Sequence, residues 1–309
     1  MIQRILAALM GVMLMGAVAR ADEAIPGDDI FGFTAPTDVG EPGEVGFAIE
    51  STNRSGKGRG TFSVTSTKYE FSRTMTDRIW LAVSPFARRH VMTGLPSVGP
   101  NQDCKCFEGV STELMVLAVK RTEAQPFAVA FSFEPNWTKL DAMTGLKANS
   151  LSAEMKMFVD APIAKDWFWG LNLNYDPSAV QTNVGGKWSR TATTNVSTAI
   201  THELWSGFFI GAEVRYQMAF GSYGLKKPVG RALFLGPTMA VELSDDVVFN
   251  MTWQPQVTGK AKGSRLPVDN INFENTNFRL RLSYTPHTTE PAEDKIDLDR
   301  ADDLRARIH

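Results

Sequence analysis

WFWGLNLNYD, residues 167–176, sets a large apolar side chain at every second position. Trp167, Trp169, Leu171, Leu173 and Tyr175 alternate with Phe168, Gly170, Asn172, Asn174 and Asp176. A strand has this pattern when one face meets an apolar phase and the other meets water. The stretch alone fits a soluble sandwich as well as a lipid-facing barrel. The segments around it separate the two.

Period-two patterning recurs along the chain and predicts twelve strands, near 44–52, 61–75, 78–92, 111–122, 126–139, 150–161, 167–177, 188–202, 208–220, 231–243, 246–257 and 273–285. The pattern of residues 61–75 switches faces midway, as a bulge would make it do, and 78–92 has no clean parity. The connections fall into two classes. TMTD (74–77), TEAQ (122–125), IAKD (163–166), HELWSG (202–207) and LSDD (243–246) are short. Between them come longer ones rich in Gly, Lys and Asn, at 53–60, 93–110, 141–150, 178–187, 221–230 and 258–272. Strict alternation of short and long connections is the pattern of an outer-membrane barrel, with short periplasmic turns and longer external loops. Sandwiches and propellers have no reason to sort their loops in this way.

The aromatic residues agree. Trp80, Trp167, Trp169 and Trp205 fall near the short turns, while Trp137, Trp188 and Trp253, with Tyr175, lie towards the long loops. Amphipathic rings gather at both membrane interfaces. The alternative is that they pack a core, which mid-strand positions would have favoured.

Residues 1–21 read as a secretory signal peptide: Arg4, an apolar run Ile5–Val18, and Ala19-Arg20-Ala21 before Asp22. Its removal leaves 30 basic against 34 acidic side chains, which gives no footprint for nucleic acid. Residues 22–43 read as a periplasmic N-terminal arm, an ordered linker more readily than an insert in the lumen, and 44–285 as the barrel. Residues 286–309 have the charged composition of a periplasmic tail without fixed structure.

In a barrel the faces opposite the apolar ones line the lumen. Those positions include Glu50, Glu134, Glu154, Lys156, Asp160, Asn172, Asn174, Asp176, Glu213, Arg215, Gln217, Asn250, Gln254, Arg279 and Arg281. Facing acidic and basic side chains can form a path selective for small polar solutes, or can pair and plug a narrow bore. Twelve strands lie between filled eight-stranded barrels and water-filled sixteen-stranded porins, so both readings stay open.

Cys104-Lys105-Cys106 is expected in a long external loop, as a strained disulfide or two free thiols; no His lies close enough in sequence to suggest a metal site. An enzyme is the second class considered. His202 falls at a turn, and His90, beside Arg88 and Arg89, would have to face outer-leaflet lipid to act as a base. No serine signature accompanies it, so neither catalytic residues nor a cofactor are expected. An adhesive or purely structural role is the third class, and the modest, non-repetitive loops argue against an adhesin.

DDIFGFTAPTDVGEPGE (28–44), FAVAFSFEPNW (127–137), FFIGAEVRYQMAF (208–220), GRALFLGPTMAVELSDD (230–246) and NFRLRLSY (277–284) resemble segments of a family of exported proteobacterial outer-membrane β-barrel proteins. The similarity spans about residues 28–285. It extends distantly to barrels grouped as phenol-degradation-pathway (MetA-type) transporters. The resemblance implies an outer-membrane barrel and carries over no functional residue. One departure stands out. Such barrels commonly end on an aromatic residue read by the assembly machinery, whereas here Tyr284 is followed by the charged tail. The expectation is an all-β, twelve-stranded barrel in a Gram-negative outer membrane that moves small polar solutes passively. Its partners would be membrane lipid, those solutes and the barrel assembly machinery.

Overall fold

A computed structural model describes residues 29–95, 98–122, 124–182 and 186–286. The signal segment and most of the charged tail lie outside these. Twelve antiparallel strands form one closed sheet: β1 (Val45–Ser55), β2 (Thr61–Thr76), β3 (Ile79–Thr93), β4 (Gln102–Val119), β5 (Ala128–Leu140), β6 (Lys147–Ala164), β7 (Trp167–Gln181), β8 (Ser189–Trp205), β9 (Phe208–Phe220), β10 (Pro228–Ser244), β11 (Val247–Ala261) and β12 (Thr276–Tyr284). Each strand pairs with its sequence neighbours, and β1 pairs with β12 from Phe47↔Tyr284 to Ser55↔Thr276. Closure leaves no strand edge unpaired.

The apolar parity points outwards. Phe71, Val83, Phe131, Leu173, Ile200, Ile210, Leu235 and Leu282 are all exposed on the outer wall, an arrangement stable only against an apolar phase. Trp167, Trp169, Leu171, Leu173 and Tyr175 share that outer face, while Phe168, Gly170 and Asn172 are buried inside. Short turns cap one end. Asp166, at φ 61°, and Gly207, at φ 77°, take the left-handed conformation that tight hairpins demand. The six other connections sit at the opposite end; at the short-turn end only β4–β5, residues 120–127, is longer than two residues.

Three local readings change. The β2–β3 register runs without a shift from Thr61↔Thr93 to Thr74↔Trp80, so β2 does not switch faces. Phe62 and Val64 instead point inwards at the long-loop end, where they pack with Met92 and Leu95. β4 begins at Gln102, because pairing with β3 continues as far as Met92↔Gln102 past a register shift between Phe86 and Ala87. Cys104 and Cys106 therefore lie on a strand and not in a loop, on the face shared with His90 and Arg88. Their sulfurs are 3.9 Å apart and unbonded. Trp80 faces the lumen, not the membrane interface, packed against Val39, Met115, Leu117 and Phe158.

Candidate functional site

The interior is built from the residues on the even or odd face of each strand, together with a segment the sequence places outside the wall. Residues 29–39 enter the barrel from the short-turn end and are held there by side chains of seven strands. Glu213 (β9) accepts hydrogen bonds from Phe33 N at 2.7 Å and from the Thr34 hydroxyl at 2.6 Å. Asp160 (β6) accepts from Thr37 N at 2.6 Å, and Asn250 Nδ2 (β11) donates to the carbonyls of Asp29 and Phe31 at 2.9 and 2.7 Å. Asn172 (β7), with its amide turned to satisfy both atoms, accepts from Ala35 N at 2.7 Å and donates to Ala35 O at 3.0 Å. The hydroxyls of Thr74 (β2) and Thr201 (β8) donate to the Val39 and Ile30 carbonyls.

Apolar contacts complete the seat. Ile30 and Phe31 pack on Phe168, Ala199, Phe209 and Ala240, forming a small core inside the bore. Two glycines make room. A Cβ on Gly32 would lie 2.3 Å from a Glu213 carboxylate oxygen, and one on Gly170 would lie 3.0 Å from the Phe31 ring. Gly170 belongs to the WFWGLNLNYD strand, so its place in that alternation is set by the arm's approach. The arm expected as a linker outside the wall thus fills the barrel at the short-turn end.

Above the arm lies a chamber of about 500 Å³, lined mainly by polar atoms and reaching down beside the arm to Gly46, Ser72 and Thr285 at the short-turn end. A chain of ion pairs runs along its wall. Arg279 and Arg281 (β12) reach Glu50 (β1) at 3.2 and 3.5 Å, and Arg281 also holds Asp29 of the arm at 2.9 Å and Glu70 (β2) at 2.8 Å. Lys68 (β2) joins Glu70 at 3.4 Å to Glu134 (β5) at 3.0 Å. Lys156 (β6) gathers Glu113, Glu134 and Glu154 at 2.8, 2.7 and 3.5 Å. Asn174 donates to Glu154 at 2.8 Å, and Asp176 and Gln217 complete the lining on β7 and β9. Pairing of this kind offsets the cost of taking these charges out of bulk water.

At the long-loop end the bore is filled. Arg88 is paired with fully buried Glu108, and His90 is buried against Gly145 of the β5–β6 loop. The segment between β11 and β12 folds back over the opening: Phe273 packs on Ala232 and Phe234, and Glu274 pairs with Lys57 at 3.5 Å and Arg54 at 3.8 Å. Burial alone would raise the Glu274 carboxyl, but Arg54 and Lys57 outweigh it and hold it below the ordinary range. Burial lowers the Lys57 ammonium despite Glu274 beside it.

All fifteen side chains selected by parity face inwards, but they do not form one site. Glu50, Glu134, Glu154, Lys156, Asn174, Asp176, Arg215, Gln217, Arg279 and Arg281 line the chamber, and Asn172 lines it while also binding the arm. Asp160, Glu213 and Asn250 are buried beneath the arm, and Gln254 is fully buried higher up. Parity in β2 also held Lys68 and Glu70, which the two inward-facing apolar residues concealed, and Glu113 sits on the inward face of β4. Six of the seven tryptophans stand on the outer wall or its rim. Trp205 is 63% exposed and stacks on Phe208, Trp167 stacks on His202, and Trp137, Trp169 and Trp253 donate to polar groups of neighbouring strands. His90 points into the barrel, so it cannot serve as a base facing lipid.

Residues 23–285 match the family described as "Family of unknown function (DUF6662)", and the chain belongs to it. No curated protein is detectably similar in sequence. Among solved structures, the β domain of the Bordetella autotransporter BrkA superposes with a TM-score of 0.52 at 10% identity, covering 79% of this chain and 100% of that one. The NanC porin gives a TM-score of 0.47 at 13% identity, over 77% and 98% of the two chains. The KdgM porin, crystallised with disordered oligogalacturonate, gives 0.43 at 9% identity, over 79% and 99%. The likeness is one of fold: a closed outer-membrane-type barrel.

Proposed function

We propose that this family member is an outer-membrane conduit for small polar solutes, plugged at rest by its own N-terminal segment. The observation that carries this reading is the charged chamber. A barrel that needed only to be filled would gain as much stability from apolar packing, because buried ion pairs seldom outperform hydrophobic residues of similar volume. Here ion pairs from β12 round to β6 surround open space, which is the wall a polar solute requires. The apolar outer wall, its aromatic rim and the signal segment support a Gram-negative outer membrane, with short turns and both ends of the barrel on the periplasmic side. The chemistry is passive, and no covalent step or cofactor enters it.

The packed long-loop end favours a second reading, a filled structural barrel without transport. Planar-bilayer recording of the purified protein separates the two. Gly32→Val places carbon against Glu213 and should unseat the arm, so wild type should open rarely and the variant persistently. Silence from both would make the barrel a filled one. Recovery in a soluble periplasmic fraction, without heat-modifiable migration on a gel, would remove the membrane reading.

A further inference from the structure

Most cations along the chamber wall are matched by carboxylates, but one is not. Arg215 is 7% exposed, and its charge rests on aromatic faces: its guanidinium carbon lies 3.8 Å from the centre of the Phe33 ring and 5.2 Å from that of Phe234. No carboxylate comes within ion-pair distance of it among the described residues, and its Nε–H has no acceptor. The nearest acid along its own strand, Glu213, is turned to the arm's Phe33 N and Thr34 hydroxyl.

A second donor without an acceptor lies on β12. Arg279 uses one Nη on Glu50 and leaves its own Nε–H unpaired. Buried donors left unpaired are destabilising. Arg279 also lies 5.6 Å from the Phe33 ring, so one ring covers both arginines. Phe33 is the arm's aromatic that lines the chamber, while Phe31 is sunk in the core below it.

We propose that Arg215 and Arg279 form a subsite for the carboxylate or phosphate group of a small solute, covered by the Phe33 ring while the arm is seated. This deepens the conduit reading and rests on it for the solute's route to the chamber. The anion's oxygens accept from the Nε–H of each arginine, and a planar carboxylate suits the guanidinium fork. Only the Phe33 side chain has to move. The arm's backbone can stay bonded to Glu213 and Asn250, so Glu213 does not turn to form an ion pair with Arg215 in the solute's place.

Isothermal titration of the full-length protein in detergent, at fixed ionic strength, tests this with sodium acetate and inorganic phosphate as separate probes. Phe33→Ala should bind at least one probe about tenfold more tightly than wild type, and adding Arg215→Gln to that variant should abolish the gain. The probe that titrates identifies a carboxylate or a phosphate source. Equal binding by wild type and Phe33→Ala, or binding that survives Arg215→Gln, would overturn the subsite. Should that variant fail to show heat-modifiable folding, Arg279→Gln replaces it with the same expectation. Bilayer recordings on the same samples keep the two readings apart. Binding without conductance removes the conduit and leaves the subsite, whereas conductance without binding removes only the subsite.

Discussion

Glu213→Ala is the substitution that isolates the arm's attachment. The carboxylate is fully buried and accepts two charge-assisted hydrogen bonds, from Phe33 N at 2.7 Å and the Thr34 hydroxyl at 2.6 Å. Each such bond contributes about 1.5–3 kcal/mol, so the pair supplies roughly 3–6 kcal/mol of attachment. Removing the carboxylate also relieves the cost of burying a charge, which brings the net loss to about 2–4 kcal/mol. The arm is a local unit, and such units open independently of the framework that holds them. Hydrogen exchange followed by mass spectrometry on peptides covering 29–39 should then show protection reduced by about 30- to 1000-fold, since each 1.4 kcal/mol is a factor of ten. Peptides from β7 and β8 serve as the control and should be unchanged. Arm protection within threefold of wild type would refute the assignment of Glu213 as the main fastening. An equal loss in strands and arm would refute the independence of the two.

The direction of the tryptophans can be read in lipid. In single-tryptophan variants reconstituted with brominated phospholipid, Trp205 and Trp253 fluorescence should be quenched and Trp80 fluorescence should not; quenching of Trp80 would contradict its inward position. Acid should loosen the long-loop cover before the wall. Glu274 is held below its ordinary value of 4.5 by Arg54 and Lys57, so its stabilisation is present above that pH and lost as pH falls through the lower folded value. Peptides spanning 262–275 should accordingly lose exchange protection below about pH 4 while strand peptides keep theirs, and Glu274→Gln should show the loosened state already at pH 7.

The wall was legible because a barrel strand needs only period two. The alternation at 127–137, 151–160, 167–176 and 208–218 sets inside against outside without knowledge of any partner, and closure followed from how the loops sort by length. Legibility failed where the lumen is itself apolar. Phe62 and Val64 face inwards because packed loops cover them, and this mimicked a change of parity. Trp80 was misplaced because it belongs to the cluster on the arm's Val39. In β4 a register shift beside Glu108 lets both Glu108 and Gly109 turn inwards, so the strand continued where the pattern seemed to stop. The arm was the hardest part to read. Ile30-Phe31-Gly32-Phe33 has no period, and the arm's partners Asp160, Glu213 and Asn250 lie 123 to 221 residues away. Local pattern carries no information on a segment whose conformation is set wholly by distant side chains.

The arm's base is fixed independently of its tip. Gly43 N donates to the Thr74 carbonyl, Thr74 N donates to the Glu44 carbonyl, and the Thr74 hydroxyl holds Val39, so the segment is pinned to β2 just before β1 begins. The ten described residues beyond the pin, 29–38, make a leash of about 35 Å at full stretch. A tip released from Glu213 and Asn250 would therefore stay within reach of its seat, and re-entry would be a unimolecular event at an effective concentration in the millimolar range or above. Closure would need no partner and would not slow on dilution, so the fraction of time the bore is clear would be a property of the single molecule.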